Sequence, residues 1–167
     1  RGADKRTLGA RRKEVTDQAA LADIRIVDFS HVFQGPVGTQ LLADFGADVI
    51  KIEPPGQGDP MREWGREKAD GRSLWWPVVA RGKRSVTINL REPAGQELAR
   101  ELIATADVLV ENFRPGTLEK WGMAPEDLMK ANPRLIVVRV SGYGQSGPYA
   151  SRPGYGASAP GQGNNRR

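Results

Sequence analysis

The side chains best equipped for chemistry sit in two short turns, each placed after an apolar run. Ser30-His31-Val32-Phe33-Gln34-Gly35-Pro36 brings a histidine, an amide and an aromatic ring together on a backbone fixed by glycine and proline. Asn112-Phe113-Arg114-Pro115-Gly116 offers an amide, a ring and a guanidinium, and an arginine fork suits phosphate because it binds two oxygens at once. A lone histidine is more often structural than catalytic. Both turns, however, fall at the carboxyl ends of predicted strands, where open α/β sheets place their ligands, and two such loops favour one shared cleft.

Two further patterns are tested by their surroundings. Gly82-Lys83-Arg84-Ser85 lacks the earlier glycine of a P-loop and leads into a strand instead of a helix, so only two adjacent cations suited to phosphate remain. Gly142-Tyr143-Gly144-Gln145-Ser146-Gly147 matches the G-x-G-x-x-G fingerprint directly after a strand. Pro148 and the glycine-rich stretch behind it provide no helix N-terminus for a pyrophosphate, and no acidic residue stands about twenty positions on. The segment reads as a glycine-rich turn whose N–H groups can form a nest for phosphate or carboxylate.

The elements that must hold these turns follow from periodicity. Ile24 to Phe29 has the β-branched character of a buried strand, a helix starting at Pro36 ends near Phe45 with Gly46 as its stop, and Asp48–Glu53 is a second strand. Strand, helix and strand in this space form the shortest right-handed parallel crossover. Residues 54–72 read as a long functional loop, and Ser73 to Ala80 as a short helix. Ser85 to Leu90 alternates as a half-exposed strand, and Pro93–Ala104 is an amphipathic helix with Leu98, Leu102 and Ile103 inward. Asp107 to Glu111, a short helix over Pro125–Ala131 and a strand over Leu135 to Val140 complete an α/β domain with a mainly parallel sheet and flanking helices. The predicted organisation is a disordered leader over 1–23, a Rossmann-like domain over 24–148 and a flexible glycine-rich tail over 149–167.

Composition limits the chemistry. The sequence has 167 residues, no cysteine and one histidine, which excludes disulfides and thiolate catalysis and argues against a metal centre. Its net charge of +5 belongs to the two ends, since residues 24–150 are neutral overall, so no nucleic-acid partner is expected. No apolar run reaches the roughly 18 residues that span a bilayer, which leads to the expectation of a cytoplasmic protein without a membrane partner.

Five blocks, in order, resemble the family III coenzyme A transferases, formyl-CoA transferase and its relatives, with the structurally similar α-methylacyl-CoA racemases. They are Ile26 to Pro36, Leu41 to Gly56, Gly82 to Leu90, Val110 to Gly116, and Asn132 to Ile136 continuing through Val140 to Pro148. The resemblance implies a Rossmann-like large domain, an interlocked homodimer, and acyl-CoA and a carboxylic acid as substrates, with no metal. It implies that coenzyme A lies along Phe33, Gln34, Pro54, Ile88, Asn89, Leu90, Arg91, Asn112, Phe113, Arg114, Lys120, Ser141, Gly142, Tyr143 and Gly144. The strand-end and phosphate arguments add His31, Val32, Lys83 and Arg84. Formyl-CoA transferase has a base where Pro54 stands, arginine for Lys120 and lysine for Ser141, which argues against formyl-CoA as the donor.

In the family an aspartate attacks the acyl-CoA thioester, giving an anhydride and then an aspartyl-CoA thioester that the acceptor acid resolves. That aspartate follows a Gly-Tyr-Asp segment, which here reads Gly154-Tyr155-Gly156. None of Asp28, Asp44, Asp48 and Asp107 matches its place, so no catalytic residue is assigned, and the chain is expected to be an N-terminal fragment inactive alone. The alternatives are a racemase, whose histidine would stand where Tyr155 does, and a non-catalytic CoA-binding remnant.

Overall fold

The computed structural model describes residues 19–66 and 68–154. Strand β1 (Arg25–Asp28) leads into helix α1 (Gln34–Asp44) and strand β2 (Asp48–Glu53). A 3₁₀ turn (Pro60–Arg62), a small hairpin of β3 (Lys68–Ala69) and β4 (Arg72–Ser73), and helix α2 (Trp75–Ala80) precede β5 (Lys83–Thr87). Helix α3 (Pro93–Ala104), β6 (Val108–Glu111), α4 (Thr117–Lys120), α5 (Pro125–Ala131) and β7 (Ile136–Arg139) follow.

The sheet has the order β5-β2-β1-β6-β7, and every neighbouring pair is parallel. Parallel strands buried on both faces need apolar side chains in both directions, and β1 supplies them. Ile26 packs on one face with Val49, Val110 and the α1 residues Leu42 and Ala43; Val27 packs on the other with Ile50, Leu109 and Ile103 of α3. The chain builds outward from β1 through β2 to β5 and then returns to place β6 on the opposite side of β1. The loops after β1 and β6 therefore diverge, and a crevice opens between them at the carboxyl ends of the strands.

The parallel α/β architecture agrees with the sequence reading; several details differ. Residues 19–23, assigned to the leader, join the fold: the Leu21 amide donates to Phe45 O at 3.0 Å, and a Cβ on Gly46 would meet Ala19 Cβ at 2.3 Å. Residues 1–18 and 155–167 lie outside the described residues. Leu98, predicted inward, is 51% exposed, because Ala99 and Ile103 occupy the sheet-facing side of α3 and leave Leu98 on the flank. The long loop contains structure of its own. Asp59 caps the 3₁₀ turn by accepting from Met61 N, and Asp70-Gly71, both at positive φ, closes the β3–β4 hairpin.

Gly95 fixes how α3 meets the sheet. A Cβ there would lie 2.1 Å from the carbonyl oxygen of Asn89, so only glycine lets the helix start directly beneath residues 89–91. That contact sets the height of one wall of the crevice.

Candidate functional site

The crevice is a cleft of about 1140 Å³, slightly more than the roughly 300–1,000 Å³ of small-molecule sites. One wall carries His31, Val32, Phe33 and Gln34 from the loop after β1; the opposite side carries Asn112, Phe113, Arg114 and Pro115 from the loop after β6. Pro54, the Ile88–Arg91 segment, Ser141 and Gly142 close the circumference.

Side chains hold the first loop by its backbone. Asn112 Oδ1 accepts from His31 N and Asn112 Nδ2 donates to His31 O, each at 2.8 Å, so one amide joins the two diverging loops. Lys51 Nζ donates to Ser30 O, and Asp59 Oδ1 accepts from Val32 N at 3.2 Å. Val32 has φ 70°, a left-handed conformation that costs an L-residue roughly 1–2 kcal/mol, and a β-branched residue there is a genuine outlier. The Asn112 and Asp59 contacts on either side maintain it, and the strain turns Phe33 and Gln34 toward the cleft.

A layer of buried charge supports this loop. Asp28 accepts from Lys83 Nζ at 2.9 Å, from Thr39 Oγ1 at 2.6 Å and from Ser30 Oγ; Lys51 Nζ lies 3.0 Å from Asp59 Oδ2. Burial alone would raise the Asp28 pKa, but the Lys51 and Lys83 charges and the two hydroxyl donors outweigh it and hold the group below the usual carboxylate range. Burial lowers the Lys83 pKa against the opposing pull of Asp28. His31 is lowered by burial and by Lys51, which exceed the opposing effects of Asp59, the Phe29 backbone and Asp28. Its ring lies 5.9 Å from that of Phe113, which in turn meets Trp121 edge-on at 5.1 Å.

Glu53 is a carboxylate on the cleft wall, and its oxygens are saturated. Oε1 accepts from Arg62 Nη2 at 2.8 Å and Ser85 Oγ at 2.5 Å; Oε2 accepts from Arg62 Nε at 2.7 Å and Asp59 N at 2.9 Å. Burial would raise its pKa, but these donors and the Arg62 charge bring it down to about 2. Glu111, at the end of β6, is instead raised by burial, although Arg139 and the Phe113 amide oppose the shift; its Oε2 accepts from Phe113 N at 2.6 Å and orients that ring.

The structure brings together His31, Val32, Phe33, Gln34, Pro54, Ile88, Asn89, Leu90, Arg91, Asn112, Phe113, Arg114, Ser141 and Gly142. It does not bring the other predicted residues to the cleft wall. Lys83 is consumed by Asp28 beneath α1, with its side chain 2% exposed, and Arg84 pairs with Asp48 at 2.6 Å where β2 and β5 begin, the opposite end of those strands from the cleft. Both were assigned as though β5 started at Ser85, whereas it starts at Lys83. Lys120 is exposed on α4, and neither Tyr143 nor Gly144 lines the cleft. Sequence reasoning missed Glu53, Trp64, Trp121 and Arg152 on the wall. Only Glu53 had a signal, as an acidic residue at the carboxyl end of a buried strand.

Arg91, Arg114 and Arg152 line the cleft without a carboxylate partner among the described residues, whereas Asp28, Asp44, Asp48 and Glu53 are all paired. Ser141 Oγ is buried on the same wall with no hydrogen-bond partner among the described residues. Three unpaired guanidiniums and an orphan hydroxyl at a topological switch point suit an elongated anionic ligand. Residues 21–163 match the profile described as CoA-transferase family III. The chain belongs to that family.

Its relatives agree. The chain is 57% identical over 137 residues to succinyl-CoA–D-citramalate CoA-transferase of Chloroflexus aurantiacus, covering 82% of this chain and 34% of that protein. It is 47% identical over 130 residues to acetyl-CoA:oxalate CoA-transferase of Acetobacter aceti, covering 78% and 33%. The crystal structure of a CaiB/BaiF family protein from Brucella suis superposes with a TM-score of 0.80 at 41% identity, covering 87% of this chain and 39% of that one. The chain thus spans about a third of the length of the curated relatives it matches.

Proposed function

We propose that this chain supplies the coenzyme A-binding wall of an enzyme that moves CoA from an acyl-CoA to a carboxylic acid. The observation that carries the reading is the strand-end cleft in which Arg91 and Arg114 have no carboxylate partner among the described residues and Asn112 locks the two ligand-facing loops together. CoA presents phosphates at one end and a flexible thiol-bearing arm at the other. Charged forks and a long half-apolar groove match those two needs.

The chain binds without turning over. Acyl transfer through an enzyme carboxylate needs an oxygen free to attack the thioester carbonyl. Glu53 fails that requirement, because four donors engage its oxygens and a pKa of about 2 makes it a weak nucleophile. Asp28 and Asp59 are buried and bound to lysines. These carboxylates are not free to attack, and the family resemblance puts the nucleophile after the segment that here reads Gly154-Tyr155-Gly156, outside the described residues. Incubation of the chain with acyl-CoA donors and dicarboxylates, followed by mass spectrometry, is expected to show no new CoA thioester and no covalent CoA adduct; turnover proportional to protein contradicts this reading.

A further inference from the structure

Arg152 belongs to a segment that the sequence reading left in the tail, yet it lines the cleft. Three features put it there. Gly142 and Gly154 cross so closely that a Cβ built on either would lie 2.5 Å from the Cα of the other, which pins the returning chain against the end of β7. Within the return, Arg152 N donates to Tyr149 O at 2.9 Å, closing a tight turn. The guanidinium then lies 4.3 Å over the Tyr149 ring, and Tyr149 meets Tyr143 edge-on at 5.9 Å. A stacked guanidinium keeps the edge that bears its N–H donors available while its orientation is restricted. No carboxylate among the described residues lies within ion-pairing distance of it.

We propose that Arg152 is an anion-binding residue of this cleft, held by the Gly142–Gly154 crossing and the Tyr149 stack, and that it grips a phosphate of CoA or a carboxylate of the acyl group. The proposal rests on the reading of the cleft as a CoA site. The two sources share one chemistry, a group with paired anionic oxygens. Gly142 acquires a second role here: it positions Arg152 as well as lining the wall.

Calorimetric titration of the chain with CoA, 3′-dephospho-CoA, pantetheine, acetyl-CoA and succinyl-CoA tests it, using Arg152→Ala, Arg152→Lys, Gly142→Ala and Arg114→Ala, with the exposed Arg134→Ala as a control for net charge. Arg152→Ala is expected to weaken one of these anionic ligands about tenfold, Arg152→Lys less, and Arg134→Ala less than twofold. A penalty that vanishes with 3′-dephospho-CoA identifies the 3′-phosphate; one that survives there but vanishes with pantetheine identifies the pyrophosphate; one confined to succinyl-CoA identifies the carboxylate. Gly142→Ala is expected to reproduce the Arg152→Ala loss, with no further loss in the double variant. Loss of binding in Arg114→Ala with every ligand unchanged in Arg152→Ala overturns the proposal and leaves the CoA site standing. Absence of CoA binding by the unaltered chain overturns both.

Discussion

Asn112→Ala should separate the joining of the two loops from general stability. The amide makes two hydrogen bonds of 2.8 Å to the backbone of His31, and both cross between the β1 and β6 loops. At a net value of about 0.5–1.5 kcal/mol each, their loss destabilises the chain by about 1–3 kcal/mol. Val32 is then held at φ 70° by Asp59 alone, so the loop leaves its left-handed conformation more often. A loop whose competent form lies about 1 kcal/mol above the alternative is competent about one time in six and loses about sixfold in apparent ligand affinity, since only the competent fraction binds. Asn132→Ala is the matched comparison: it removes hydrogen bonds to Ala106 O at 2.8 Å and from Arg134 N at 3.2 Å, away from the cleft. Urea unfolding of both variants, with CoA titrations under native conditions, should show comparable destabilisation but weakened binding only for Asn112→Ala. Equal loss of affinity in both, or unchanged affinity in Asn112→Ala, refutes the joining role.

Three further outcomes are expected. Glu53, lowered to about 2 from its ordinary 4.5, contributes stability that is present above pH 4.5 and lost as pH falls toward 2; Glu53→Gln should flatten that acid limb and cost about 2 kcal/mol at neutral pH, below the usual range for breaking a buried pair because Arg62 keeps access to water. His31 is the single histidine, so its ring protons give an unambiguous NMR titration; a midpoint below 6.5 is expected, with stability from this group rising with pH up to 6.5 and flat above, and a midpoint at or above 6.5 contradicts the burial argument. Gly95→Ala places a Cβ 2.1 Å from Asn89 O, so α3 or the Asn89–Arg91 wall must shift; a thermal melt unchanged from the unaltered chain contradicts that contact.

The sheet was legible because its central strands β1, β2 and β6 are largely apolar in both directions and helix α3 is amphipathic: β2, α3 and α5 begin and end where periodicity and proline placement put them. The cleft was legible at its two main loops, because a ligand site at strand ends is a consequence of topology. What stayed hidden depends on contacts that are remote in sequence. Nothing near Lys83 announces that Asp28, 55 positions earlier, claims its ammonium, and nothing near Arg84 announces Asp48. A one-turn helix such as Thr117–Lys120 is too short to carry a period, and the strands joined by Asp70-Gly71 have two residues each, too few to show alternation. Arg152 looked like tail because its surroundings are glycine and proline; the Gly142–Gly154 crossing that fixes it is visible only in three dimensions.

The central claim, that the strand-end cleft binds CoA through cations that face it, is tested most directly by calorimetric titration of CoA at low and high salt with Arg114→Glu and Arg84→Glu. Arg114 lines the cleft, whereas Arg84 pairs with Asp48 where the strands begin. The expected result is binding that weakens as ionic strength rises, is lost further in Arg114→Glu and is unchanged in Arg84→Glu. Salt-independent binding, or equal losses in the two variants, contradicts the account.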